Sequence, residues 1–226
     1  MASSSSSPPH LYFAYGSNLS LTQMRHRCPT ATYDSLAVLK GWKWIIGERG
    51  YANVVQAKSR TEGLVRGGKG DGGSEEDGKG KKEEEYEGDR VFGMVYLLQD
   101  EDERILDRAE GVPWAYEKVL LEVEILPGGE GEGTRKEGEE QEGRGGKKVD
   151  VLVYVDFKRL GEGVCREEYV ARMNRGIKDA VQKGMPQKYV DDVLRKWVRD
   201  EDLPKDGEVE DPFLHGDSEG PVGVKR

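Results

Sequence analysis

The sequence is poor in the residues that most reaction centres rely on. Its three histidines, His10, His26 and His215, are too far apart to form a ligand spacing, so no metal site is expected. The two cysteines, Cys28 and Cys165, offer no disulfide framework, and a reducing, cytoplasmic setting is the simpler expectation. No Cys–His pair, P-loop or dinucleotide glycine fingerprint occurs, so no cofactor is expected. No apolar run approaches the ~20 residues of a membrane helix, which predicts a soluble protein with no membrane partner. Basic excess is missing too: 35 Lys+Arg stand against 44 Asp+Glu, a formal charge of -9. That balance argues against a nucleic-acid partner. Met1–Pro9 (M-A-S-S-S-S-S-P-P) has neither a basic start nor an apolar stretch, so it is read as a disordered lead-in and not as a secretory signal.

What the chain does have is a short strand that ends in small residues. Leu11–Tyr15 has strand-like composition and runs into Gly16-Ser17-Asn18. Glycine lets the chain turn where a side chain would clash, and Ser17, Asn18 or Ser20 can cap a helix over Leu21–Cys28. A strand that turns into a helix presents backbone N–H groups suited to a carboxylate or a developing oxyanion. Such turns are also common in proteins without any such role.

Further along, Ala31–Lys40 and Trp42–Ile46 are predicted strands broken by Gly41. Trp42 and Trp44 alternate with Lys43, as on a half-buried strand, and are assigned to core or rim packing. Asn53–Gln56 and Gly63–Arg66 are short strand candidates. Gly67–Asp89 and Pro127–Lys148 are almost entirely Gly, Glu, Lys and similar residues. They bury too little apolar surface to offset the entropy of ordering. Because strand candidates flank both, they are expected to be two expanded loops of one domain spanning 10–200, which loop-closure entropy tolerates. Val91–Leu98, Tyr116–Leu126 and Val149–Phe157 are predicted strands, the second with its apolar side on odd positions. Asp100–Ala109 is a predicted helix with an acidic first turn, ending where Gly111 can adopt the left-handed C-terminal position. Arg166–Lys183 and Gln187 to about Arg199 are predicted helices, and 201–226 reads as a loose tail. The pattern predicts an α+β domain of about seven strands and four helices.

Among many glutamates Glu110 stands out. It closes a helix beside Gly111 and is followed by Pro113, Trp114 and Tyr116. Aromatic neighbours would desolvate it and raise its pKa, as a general base requires. A solvated glutamate at a helix end is the plainer reading on composition alone.

Two segments resemble one known family. L-Y-F-A-Y-G-S-N-L at 11–19 is similar to the signature of the γ-glutamylcyclotransferase family, and L-D-R-A-E-G-V at 106–112, followed by Tyr116, is similar to its segment around the catalytic glutamate. V-F-G-M-V-Y at 91–96, A-N-V-V at 52–55, and Tyr169, Gly176, Gly184-Met185-Pro186 and Tyr189 follow in the same order. The resemblance covers most of the chain outside the two Gly/Glu/Lys runs and the tails; those runs, and Met185 where leucine is usual, depart from compact members. It implies a small mixed β-barrel flanked by helices. It implies cleavage of a γ-glutamyl amide by its own α-amine, releasing 5-oxoproline and an amino acid or amine. Glu110 would be the general acid/base. Tyr12, Phe13, Ala14, Tyr15, Gly16, Ser17, Asn18, Tyr116 and Tyr169 would bind substrate, with core packing an equal expectation for Tyr169. The backbone around Gly16 and Ser17 would hold either the γ-carbonyl oxygen or the α-carboxylate; the sequence does not decide which.

The partner implied is a small γ-glutamyl molecule, and a homodimer is left open. Three other readings stand beside this one: the same chemistry on glutathione-derived intermediates, a non-catalytic γ-glutamyl or 5-oxoproline binding module, and a scaffold acting through the Gly/Glu/Lys runs. The glutathione-specific branch typically reads Y-G-S-L where Asn18 follows Ser17 here.

Overall fold

The architecture follows from how the strands bury their faces. The computed structural model describes residues 9–57, 89–127 and 146–201. The expected strand Gly63–Arg66, nearly all of the lead, the tail, and the bodies of the two Gly/Glu/Lys-rich runs lie outside the described residues.

Seven strands are described: β1 (His10–Ala14), β2 (Thr32–Lys40), β3 (Trp42–Ile46), β4 (Ala52–Gln56), β5 (Arg90–Leu98), β6 (Glu117–Ile125) and β7 (Lys148–Val155). The helices are α1 (Leu21–Arg27), α2 (Asp100–Ala109), α3 (Glu167–Gln182) and α4 (Gln187–Asp192), with 3-10 turns at Ser17–Leu19 and Leu194–Lys196. Five strands close a barrel in the order β1-β5-β2-β6-β7, and β3 and β4 form a separate hairpin. The barrel is mixed: β1 and β7 pair in parallel, with Tyr12 opposite Leu152, and the other pairs are antiparallel. Closing the sheet leaves no open edge in the barrel. This is the expected α+β barrel flanked by helices.

Both faces of the barrel sheet are buried: Phe13, Val95 and Val153 are fully covered, and so are Leu36 and Met94, which pair in register on the opposite face. On β6 the odd-numbered side turns inward, with Val123 and Ile125 buried and Leu120 exposed, as its alternation predicts. Trp44 is buried and donates its indole N–H to the Tyr15 carbonyl at 2.9 Å, tying the β3–β4 hairpin to the exit of β1. Trp42 lies at the rim, against Phe157.

Helix α3 packs on the Ser17–Leu19 turn. A side chain at Gly176 would lie 2.9 Å from the Leu19 Cβ, and Asp179 accepts from the Leu21 N–H at 2.8 Å. The helix buries apolar residues such as Tyr169, Met173 and Ile177. Arg172 and Asn174 are buried as well, because one side of α3 faces the turn and another holds the C-terminal segment. The helix expected over Gln187–Arg199 stops at Asp192 and continues only as the Leu194–Lys196 turn. Beyond the break Asn174 holds the segment against α3: it accepts from the Arg195 side chain at 2.7 Å and donates to the Arg199 carbonyl at 3.0 Å. Among the described residues, no helix is long and apolar enough to cross a membrane.

Candidate active site

Three pieces of chain meet around one cavity of about 340 Å³. The first is the turn after β1. Gly16 has φ -110°, so its need for glycine is not a left-handed backbone. It is space: a Cβ there would lie 2.7 Å from the Tyr169 hydroxyl and 3.1 Å from Ala52. Ser20 caps α1, accepting from the Gln23 N–H at 3.3 Å. Of the turn's backbone donors, the Ser17 N–H is already engaged, donating to the Tyr169 hydroxyl at 3.0 Å.

The second piece is the end of α2. Gly111 adopts φ +65° and terminates the helix, as read from the sequence. Glu110 is its C-terminal cap residue and lines the cavity. A carboxylate at a helix C-terminus faces the negative end of the helix dipole, an unfavourable place on its own. Two groups offset this. The Asn18 amide donates to Glu110 Oε1 at 3.2 Å, and the Arg27 guanidinium lies 3.7 Å from the same oxygen. The Glu110 side chain is 19% exposed and that of Arg27 only 4%. The sequence reading surrounded Glu110 with aromatics alone. Arg27 adds a buried cation, which favours the ionised carboxylate and opposes the desolvation by the rings.

The third piece is a wall of tyrosines, and their hydroxyls sort into two groups. Tyr15 donates to the Tyr154 carbonyl, Tyr116 to the Ala52 carbonyl at 2.8 Å, and Tyr154 to Asp107 at 2.9 Å. Their protons are committed to the protein. Tyr12 instead accepts from Asn18 at 2.9 Å, and Tyr169 accepts from Ser17. A hydroxyl that accepts keeps its own proton to donate. Burial raises the pKa of all five above the ordinary phenol value, that of Tyr169 to about 12. They are neutral donors and acceptors at physiological pH, not bases. Glu110 is the one carboxylate among the described residues lining the cavity, against four arginines: Arg27, Arg49, Arg108 and Arg172.

Of the residues singled out in the sequence, Tyr12, Tyr15, Gly16, Ser17, Asn18, Glu110, Tyr116 and Tyr169 come together here. Phe13 and Ala14 do not line the cavity and are buried in the core. Strand alternation turns Phe13 away from the side on which Tyr12 faces the cavity, and Ala14 leaves no side chain long enough to reach it. Trp114, one of the aromatics expected to desolvate Glu110, is 80% exposed and does not line the cavity, although Ala115 and Tyr116 do.

Sequence reasoning missed Arg27, Arg49, Tyr51, Tyr154 and Arg172. Arg49 stacks 4.7 Å over Tyr116, and Arg172 lies 4.9 Å over Tyr169 with its side chain 3% exposed. For Arg27 a signal existed: it stands four residues after Gln23, on the same face of a capped helix. Arg49 sits in a turn whose sequence says only that the chain reverses.

No family model and no curated protein matches the chain. Solved structures do. The uncharacterized protein loc79017 from Homo sapiens superposes with a TM-score of 0.57 at 21% identity, over 92% of this chain and 96% of that one. A gamma-glutamyl cyclotransferase superposes with a TM-score of 0.55 at 20% identity, over 91% and 95% of the two chains. The chain therefore has the gamma-glutamyl cyclotransferase-like fold.

Proposed function

We propose that the protein is a γ-glutamylcyclotransferase, cleaving a γ-glutamyl amide by attack of its own α-amine to give 5-oxoproline and a free amino acid or amine. The observation that carries this reading is Glu110. It is a single carboxylate, held by Asn18 and Arg27, in a cavity otherwise walled by neutral tyrosines and arginines. Similarity of fold to a gamma-glutamyl cyclotransferase supports it.

Closing a five-membered ring needs no nucleophile from the protein. It needs the substrate folded so that nitrogen meets carbonyl, which contributes several kcal/mol (~7–11 at best) of avoided entropy loss. It also needs the α-ammonium to lose a proton, because only the neutral amine attacks. Glu110 takes that proton and returns it to the leaving nitrogen. The arginines lining the cavity attract the substrate carboxylate. Tyr12 and Tyr169, which keep a proton to give, donate to the γ-carbonyl oxygen as its charge grows, an effect typically worth ~2.7–4 kcal/mol per donor. With the Ser17 N–H already donated to Tyr169, the hydroxyl takes the role that the sequence reading gave to that backbone group. Tyr15, Gly16, Ser17, Asn18 and Tyr116 shape the rest of the binding surface. We also read the two Gly/Glu/Lys-rich runs as loops of one domain. Their described flanks meet, since Gly41 bonds both Asp89 and Ala57, and Ile125 bonds both Gly146 and Lys147.

Mass-spectrometric detection of 5-oxoproline from γ-glutamyl-alanine, γ-glutamyl-lysine amides and glutathione conjugates tests the reading. Release by the wild type that disappears in folded Glu110→Gln is expected. Tight binding of 5-oxoproline without any turnover would instead identify a binding module.

A further inference from the structure

We infer that Gln23 is a positioning residue for Glu110, acting through the Asn18 amide, and that Arg27 acts both through that amide and directly, 3.7 Å from the carboxylate. The inference rests on the catalytic reading above for its kinetic consequences, and on hydrogen bonds alone for its structural ones.

A carboxamide has nearly the same shape either way round, and only its partners choose its orientation. The buried Asn18 amide has partners on both sides. Its Oδ1 accepts from Gln23 Nε2 at 2.8 Å and from Arg27 Nη1 at 3.2 Å. Its Nδ2 donates to the Tyr12 hydroxyl at 2.9 Å and to Glu110 Oε1 at 3.2 Å. A guanidinium can only donate, and an ionised carboxylate can only accept. Reversing the amide would set its NH₂ against Arg27 and its oxygen against Glu110, two repulsions in place of two bonds. Arg27 on one side therefore makes Asn18 a donor on the other.

Gln23 belongs to the same chain of bonds. Its Nε2 also donates to Ser17 Oγ at 2.9 Å, and its side chain is buried. Reversing Gln23 would face two amide oxygens, so its orientation is set by that of Asn18 and reinforces it. Gln23 and Arg27 are four residues apart on α1, and the Ser20 cap sets the register that points both at the turn. One face of a short helix thus determines which atom of Asn18 meets Glu110.

The consequence is a defined place and charge for the carboxylate. The titratable and charged groups around Glu110 include Arg27 and Cys28 at the end of α1, Tyr12 and Tyr15, Tyr116 and Tyr154 at the ends of β6 and β7, Tyr169 and Arg172 of α3, and Arg49 and Arg108 in the same cavity wall. Burial holds the pKa of the Cys28 thiol up at about 12 and those of the phenols above their ordinary value. Arg27 lies 3.7 Å from the carboxylate, and the Asn18 Nδ2 is a neutral donor aimed at it.

Gln23→Met tests this in the full chain, since it keeps length and burial and removes the donor. Turnover should fall roughly tenfold, with KM changed much less. The acid limb of the kcat profile should move to higher pH, because the ionised carboxylate has lost support. Arg27→Met should do more of both, and if it does not fold, Gln23→Met decides alone. In an Asn18→Leu background, Gln23→Met should add nothing, because its effect passes through Asn18. A carboxyl ¹³C titration of Glu110, assigned by the signal lost in Glu110→Gln, should show the same upward midpoint without any turnover. An unmoved midpoint in folded Gln23→Met, or an equal shift with Asn18 already gone, overturns the inference. If the wild type releases no 5-oxoproline, the catalytic reading fails, and the titration still decides the positioning.

Discussion

Two concavities among the described residues are of similar size, and they are built differently. The cavity beside Glu110 holds about 340 Å³, and a groove between β2 and β6 holds about 260 Å³. The groove is lined by Val38, Leu39, Trp42 and Leu121, with the ion pairs Lys40–Glu124 at 3.0 Å and Lys148–Glu122 at 2.8 Å beside them. Those four charged side chains are substantially solvated. Around the cavity the polar groups are buried and joined: Ser17, Asn18, Gln23 and Arg27 bond one another and reach Glu110. Buried polar groups are costly unless satisfied, and a satisfied network holds one geometry. Volume alone does not distinguish the two places; the directed bonds do.

The largest expected break in that comparison is Glu110→Gln, which should lower 5-oxoproline release by roughly 10²–10⁴-fold while the protein stays folded, whereas Lys40→Ala in the groove should leave release unchanged. Next comes Gly16→Ala. Its methyl would press on the Tyr169 hydroxyl and Ala52, and overpacking of this kind costs ~1–3 kcal/mol. Urea unfolding should show that loss, together with weaker substrate binding. Tyr169→Phe should be milder for stability, about 1 kcal/mol, since the Ser17 N–H loses its acceptor. Its kcat should fall by roughly 10²–10³-fold with a smaller change in KM, and equal activity to wild type would remove Tyr169 from the reaction. Smallest is the Lys40–Glu124 pair, where replacing both residues by alanine should change stability by at most ~1 kcal/mol.

A pH series sharpens the same contrast. The cavity phenols have pKa values raised by burial, Tyr169 from 10.0 to about 12. The protonated form is thus favoured by folding. Its contribution is full below pH 10, the unfolded value, and is lost as pH rises towards 12. Urea midpoints should therefore hold up to about pH 10 and drop above it, and Tyr169→Phe should flatten part of that drop. No drop above pH 10 would mean that the phenols are not held neutral by the fold.

The features legible in the sequence were the local ones. The Gly16–Asn18 turn and the Glu110–Gly111 helix end each declare themselves within a few residues, by glycine placement and helix-capping chemistry. The alternation of β6 and the barrel strands were legible for the same reason, since each strand carries its own period. What was hidden came from distant pieces of chain. Nothing near Arg49, Tyr154 or Arg172 shows that a hairpin, a barrel strand and a helix bring them to one wall. Phe13 and Ala14 fall inside the matched signature, yet they lie behind the cavity wall. A motif marks a stretch of chain, whereas a cavity takes only the side chains that face it. The docking of residues 195–199 has the same origin, because Asn174 on α3 supplies bonds to Arg195 and Arg199 that no local rule contains.

One measurement addresses the central claim most directly: 5-oxoproline release from the γ-glutamyl panel by wild type and by Glu110→Gln, with folding checked by circular dichroism. The account predicts release by the wild type from at least one substrate and its collapse in the variant. Full release by a folded Glu110→Gln protein would contradict it, and would move the reaction's proton transfer away from the one carboxylate that the described cavity residues provide.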